Sequence, residues 1–190
     1  MRASPVDRAS FGKIQIIEAS PGMSGHPRLG PDSLMKPKVH GTCTGCAQSS
    51  LRWGCDVKLA DQISCFNRHY AEHSGYWQTT SLLTDEKGDR PIDFYDSVTG
   101  KPLFRLRLDP VTSKRTFDQF VRESAAHGWP SFRDEDVIWE NCRVLSSGEM
   151  VSTDGTHLGH NLPDSKGHRY CINLVCCAGK PGAASSSAKL

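Results

Sequence analysis

No apolar run in this chain approaches the length of about 20 residues that a helix needs to cross a bilayer, so no membrane association is expected. An excess of charge of one sign is lacking too: 23 Lys and Arg stand against 21 Asp and Glu, a net charge of +2. With no basic cluster interleaved with aromatics, nothing marks a nucleic-acid partner. The opening MRASPVDRAS carries arginine, serine and Asp7 but has no apolar core of a secretory signal. No internal repeat is visible. Cysteine, by contrast, is plentiful at eight residues. Without a secretory signal these are read as thiols or metal ligands rather than a disulfide framework, and the expected location is intracellular and cytoplasmic.

A length of 190 residues with 37% hydrophobic content fits one globular domain with extensions. Residues 1–40, rich in Gly, Pro and Ser, read as an irregular arm. Residues 41–90 form a cysteine-containing extension expected to pack on the core, and 91–178 make up the main folded unit. From Gly179 on, GKPGAASSSAKL reads as a flexible tail. Its final AKL resembles the S-K-L peroxisomal address, with a chance tripeptide as the alternative.

Within the folded unit, PIDFYDSVTGKPLFRLRLD reads as two strands joined around Thr99 and Gly100, with Phe104, Leu106 and Leu108 alternating against Arg105 and Arg107. TFDQFVRESAAHG places Phe117, Phe120, Val121 and Ser124 at helical spacing and stops at Gly128. VIWENCRVL, GEMVSTDG and RYCINLV read as further strands. One short helix beside several antiparallel strands predicts an α+β fold, mostly β.

The segment GHRYCINLVCCAG holds three of the eight cysteines. Read as a strand over 169–175, it puts Tyr170, Ile172, Leu174 and Cys176 on an apolar face and Arg169, Cys171, Asn173, Val175 and Cys177 on the other. Cys177 would then lie roughly 20 Å beyond Cys171 along the strand. Cys171 sits between a cation and an amide, and a neighbouring guanidinium favours the thiolate, the nucleophilic form. Cys176 reads as packing.

Upstream, His157, His160 and His168 join Cys171 in a pattern H-x2-H followed by H-x2-C, which zinc would accept. A thiol active site and a polar loop without joint role are the other readings. Trp129, in GWPSF, is either a core plug or the wall of an apolar pocket.

HGWPSF, THLGHNLPD and RYCIN, in that order and preceded by GKPLF, resemble the signature blocks of methionine-R-sulfoxide reductases over about residues 92–177. The resemblance implies a β-rich fold in which Cys171 attacks the sulfoxide sulfur and becomes a sulfenic acid that a thiol must clear. It implies that His157 and His160 bind the sulfoxide side and assist protonation, while Arg169 and Asn173 organise the nucleophile. Trp129, Phe132 and Leu162 would contact substrate; Leu162 stands where an aromatic is common. Oxidised proteins or free methionine sulfoxide would be the substrates, and a thioredoxin-like reductant the partner, in repair after oxidative stress. The protein would act as a monomer.

The chain departs from that family at two places. The family's structural zinc is held by two C-x2-C pairs, and the matching positions are Asp96 and Thr99, then Val151 and Asp154. No zinc or other cofactor is therefore expected there. A common resolving cysteine precedes the tryptophan by two residues, where this chain has His127. Cys142, Cys65, Cys43 and Cys46 are the alternative resolving thiols, direct reduction being the other route.

The N-terminal cysteines have the spacing C-x2-C-x8-C-x9-C over Cys43, Cys46, Cys55 and Cys65, which could hold zinc, form a redox pair or do neither. HYAEH at 69–73 matches H-x-x-E-H, the inverzincin pattern. The competing reading is a surface turn whose Phe66, Tyr70, Tyr76 and Trp77 cover the sheet. The reductase expectation thus stands against two others: a zinc-binding module, and a relative that binds oxidised methionine without turnover.

Overall fold

The computed structural model describes residues 27–86, 90–106 and 115–182. Apolar residues alternating with polar ones build two antiparallel sheets. β1 (Ile92–Tyr95) and β2 (Pro102–Leu106) form a ribbon with Ile92 opposite Leu106 and Phe94 opposite Phe104. The larger sheet has five strands in the order β3-β7-β6-β5-β4: β3 (Ser131–Phe132), β4 (Cys142–Val144), β5 (Glu149–Ser152), β6 (His157–Asn161) and β7 (Tyr170–Ile172). The helices are short: α1 (Val57–Asp61), α2 (Leu82–Asp85), α3 (Phe117–His127) and α4 (Leu174–Cys177). This is the α+β, mostly β arrangement that the sequence predicts. No helix among the described residues is long and apolar enough to cross a membrane.

Local chemistry sets the ends of α3. Thr116 and Gln119 form a reciprocal capping box, with the Gln119 N–H donating to Thr116 Oγ1 at 3.2 Å and the Thr116 N–H to Gln119 Oε1 at 2.8 Å. At the other end Gly128 takes φ 89° and donates its N–H to the Ser124 carbonyl. The helix buries Phe120 and Ser124.

Three expectations need correction. The strand read over 169–175 stops at Ile172, and the chain turns into α4. Cys176 and Cys177 are both buried on that helical turn, so Cys177 is not a distant member of the Cys171 face. The cause lies about a hundred residues away: the Glu72 carboxylate accepts the N–H groups of Leu174 at 2.8 Å and Val175 at 3.2 Å, capping the turn. In the 66–77 segment only part of the aromatic set covers the sheet. Trp77 is fully buried and Tyr76 partly so, whereas Phe66 and Tyr70 are exposed. The third concerns the tail, whose first residues are pinned: Gly179 donates to the Tyr95 carbonyl and Gly182 to that of Gly100. AKL, residues 1–26 and the stretch with Arg107 and Leu108 lie outside the described residues.

The core centres on Phe132, which stacks on Phe104 at 4.2 Å between ring centroids and meets Phe94 and Phe120 at 4.9 and 5.2 Å. Trp53, Ile63, Trp77 and Leu82 of the extension are buried in the same cluster. The arm joins as well. Residues 28–30 bridge to Val144 at the edge strand β4, and Met35 packs with Leu145 and Val151.

Candidate thiol site

Cys171 lies in the middle of β7, where strand alternation turns it away from buried Tyr170 and Ile172 and leaves it half-buried. Directly opposite on β6 is His160, and on the other side Ser131 of β3. β6 approaches β7 so closely that a Cβ on Gly159 would sit 2.0 Å from the Cys171 carbonyl oxygen, so the HLGH glycine is required by backbone contact.

Burial pushes the Cys171 thiol above its ordinary value; the Arg169 guanidinium opposes this through its charge and a side-chain hydrogen bond, and the Glu72 carboxylate adds to the rise. The guanidinium favours the thiolate as the sequence implies, but burial outweighs it. Arg169 is itself buried; its Nε lies 3.5 Å from Asp164 Oδ2 in an ion pair, and its Nη1 has no hydrogen-bond partner. Unpaired buried donors of this kind are costly in the absence of an acceptor.

The histidines differ in role. His157 is buried, with Nδ1 2.8 Å from Glu149 Oε1. Arg68 grips the same carboxylate, its Nη2 at 2.5 Å from Oε2. Burial would raise Glu149, yet the bonds from His157 and Arg68 prevail and hold it at about 2. His160 is more open, its ring 5.7 Å from that of His157. Burial and the charges of His157 and His69 push it below the usual histidine value, against the pull of Glu149.

Glu72 ties the rest of the site together. Its backbone N–H donates to Asn173 Oδ1 at 3.0 Å, and its carbonyl accepts Trp129 Nε1–H at 2.9 Å. Asn173 Nδ2 in turn donates to the Leu158 carbonyl at 3.2 Å. Burial raises the Glu72 carboxyl to about 7, partly offset by the two α4 N–H bonds. Residues 67–73 contain no helix. The HYAEH segment therefore lacks the helical geometry of a zinc protease, and Arg68, His69 and Glu72 instead reach over the thiol site. Arg68, Glu72 and Glu149 were not anticipated as site residues. HYAEH did stand out, but for another chemistry.

Of the substrate-contacting residues expected from sequence, Trp129 is half-buried beside Glu72, and Leu162, 46% exposed, lies just past β6. Phe132 belongs to the core, fully buried under the sheet. Cys142, Cys43 and Cys65 are buried, whereas Cys46 is exposed.

The positions matched to the family's zinc ligands are joined by other means. Asp96, fully buried, accepts Thr156 Oγ1–H at 2.9 Å and the Val98 N–H at 2.8 Å, and Lys101 Nζ lies 3.0 Å from Asp154 Oδ1. Val151 is buried in the small cluster with Met35. Among the described residues, donor atoms within 4.8 Å of one another occur at His40, Asp61 and Cys65, and at Glu123, His127 and Asp164. Neither set contains His157, His160, His168 or Cys171, and His168 Nδ1 instead meets Asn161 Nδ2 at 3.0 Å. Nor is either set read as a metal centre, since His40 faces both oxygens of Asp61 and Arg133 holds Glu123 and Asp164.

Fold and site together define a half-buried thiol on a β-sheet, flanked by a guanidinium and opposed by a histidine. Over 76 aligned residues the chain is 40% identical to the peptide methionine sulfoxide reductase MsrB of Pseudomonas entomophila, an alignment covering 34% of this chain and 57% of the relative. The MsrB of Pseudomonas putida strain W619 is 41% identical over the same length, covering 34% and 56%. That of Pseudomonas fluorescens is 38% identical over 71 residues, covering 32% and 54%. These matches support a relation to methionine sulfoxide reductases, while the chain spans just over half the length of the curated relatives it matches. No protein-family model and no solved structure matches it.

Proposed function

We propose that this protein reduces methionine-R-sulfoxide to methionine, with Cys171 as nucleophile. The observation that carries this reading is the Arg169 guanidinium, buried beside the Cys171 thiol, with Nε held in an ion pair by Asp164 and Nη1 without a hydrogen-bond partner. A sulfoxide oxygen is a strong acceptor and would satisfy Nη1 while its sulfur faces the thiol. Trp129, held by the Glu72 carbonyl, supplies an apolar wall for the substrate methyl group. His160, opposite Cys171, and His157, oriented by Glu149, assist protonation of the departing oxygen. The oxygen passes to Cys171, leaving methionine and a sulfenic acid; two external thiols then return Cys171 to the thiol, with release of water and a disulfide.

Direct reduction by a thioredoxin-like partner is favoured because three of the four alternative thiols, Cys142, Cys43 and Cys65, are buried, Cys46 alone being exposed. The test is consumption of each methionine sulfoxide epimer with dithiothreitol as reductant, with Cys171→Ser alongside. R-epimer loss that disappears in the variant is expected. A single equivalent of methionine per chain would favour a binding protein without turnover, and no loss of either epimer would overturn the reading.

A further inference from the structure

The two cysteines of the CTGC turn face opposite ways. Cys43 is buried, and its thiol donates inward to the carbonyls of Ser64 at 3.4 Å and Gly155 at 3.6 Å. Cys46 is exposed, with Sγ 3.7 Å from His40 Nδ1. The other ring nitrogen of His40 lies 2.9 and 3.0 Å from the two oxygens of Asp61. Asp61, the last residue of α1, is fixed in turn by the Ala47 N–H at 2.8 Å. His40 is fixed by paired backbone bonds to Cys43 and by an edge-on contact with Phe66 at 4.6 Å. A carboxylate facing Nε2 keeps the imidazole proton on that side and leaves the Nδ1 lone pair toward the thiol. Nucleophile, base and orienting acid thus stand in line, which is the arrangement that activates a cysteine.

We propose that Cys46, His40 and Asp61 form a second nucleophilic thiol centre, independent of Cys171, that exchanges with low-molecular-weight disulfides bearing carboxylates, of the glutathione disulfide class. The site has room for such a ligand, a cavity of about 450 Å³ with Cys46 at its wall. Val57 and Phe66 make it apolar; of the two charged residues in its lining, Asp61 is engaged by His40, and Lys58 offers a cation suited to a carboxylate. In the step, Cys46 passes its proton to His40 Nδ1 and the thiolate attacks one sulfur of the disulfide. The new S–S bond forms to Cys46 as the old one breaks. The departing thiolate takes the proton back from Nδ1, so one half leaves as a reduced thiol and Cys46 remains as the mixed disulfide.

The test uses the full chain with glutathione disulfide, followed by intact mass and peptide mapping. One glutathionyl group is expected, on Cys46, formed at about pH 7 at least tenfold faster than on an unstructured peptide spanning the CTGC turn. His40→Gln and Asp61→Asn should each bring the rate down toward that of the peptide. The comparison of wild type with peptide needs no substitution, so it stands even if a variant fails to fold. Glutathione disulfide should also outrun the cationic disulfide cystamine, and Lys58→Gln should shrink that preference. A Cys46 that reacts at the peptide rate, or modification confined to Cys171, would overturn the proposal; a preference for cystamine would overturn its assignment to carboxylate-bearing disulfides.

Discussion

At Cys171 two effects of opposite sign meet. Burial raises the thiol, and Arg169, by charge and hydrogen bond, brings it part of the way back. The balance leaves it above its ordinary value, so its reaction with iodoacetamide should keep climbing with pH beyond the range where an ordinary thiol levels off. Replacing Arg169 with Gln removes the lowering charge, and alkylation at about pH 8 should slow by about 3- to 10-fold. An unchanged rate would mean that the guanidinium serves only to pack the turn. Arg169 and Cys171 were legible in sequence because strand alternation places i and i+2 on one face. The sign of the net shift was not, since it depends on how much protein covers the thiol.

At the scale of elements, α4 exists because a side chain from another part of the chain reaches its first turn. The Glu72 carboxylate takes two N–H groups that would otherwise be unpaired in the interior. Its raised value near 7 means that the folded state binds the proton more tightly than the unfolded chain does. The stability this gives is complete below an unfolded value of 4.5 and is lost as pH rises to about 7. Urea unfolding should therefore show the wild type losing about 3 kcal/mol relative to Glu72→Gln between those limits. A constant difference between the two proteins would show that the carboxyl does not titrate there.

For the whole molecule, the question is whether the extension is an appendage. Trp77 is fully buried in the cluster that also contains Phe94, Phe132 and Ile172. Trp77→Ala should cost about 3–5 kcal/mol. Probes in the extension and in the sheet should still unfold in one transition. A separate early transition for residues 41–86 would contradict a shared core. Asp96 and Thr156 join the turn after β1 to the start of β6. Thr156→Val strips the buried carboxylate of that donor and should destabilise the protein by about 1–3 kcal/mol in the same assay.

By itself the sequence determined the strands β1, β2, β4, β5 and the start of β7, the helix α3, and the order of the blocks around Trp129, His157 and Cys171. All of these are local, written in periodicity, capping residues and short motifs. Tertiary structure alone decided that β7 ends at Ile172, that Phe132 fills the core, and that Glu149 and Arg68 fix His157. It also gave the CTGC cysteines opposite environments and set Cys46 beside His40 and Asp61. Such outcomes depend on burial and on contacts between residues far apart in the chain, as with Glu72 and Leu174, and local pattern carries no record of them.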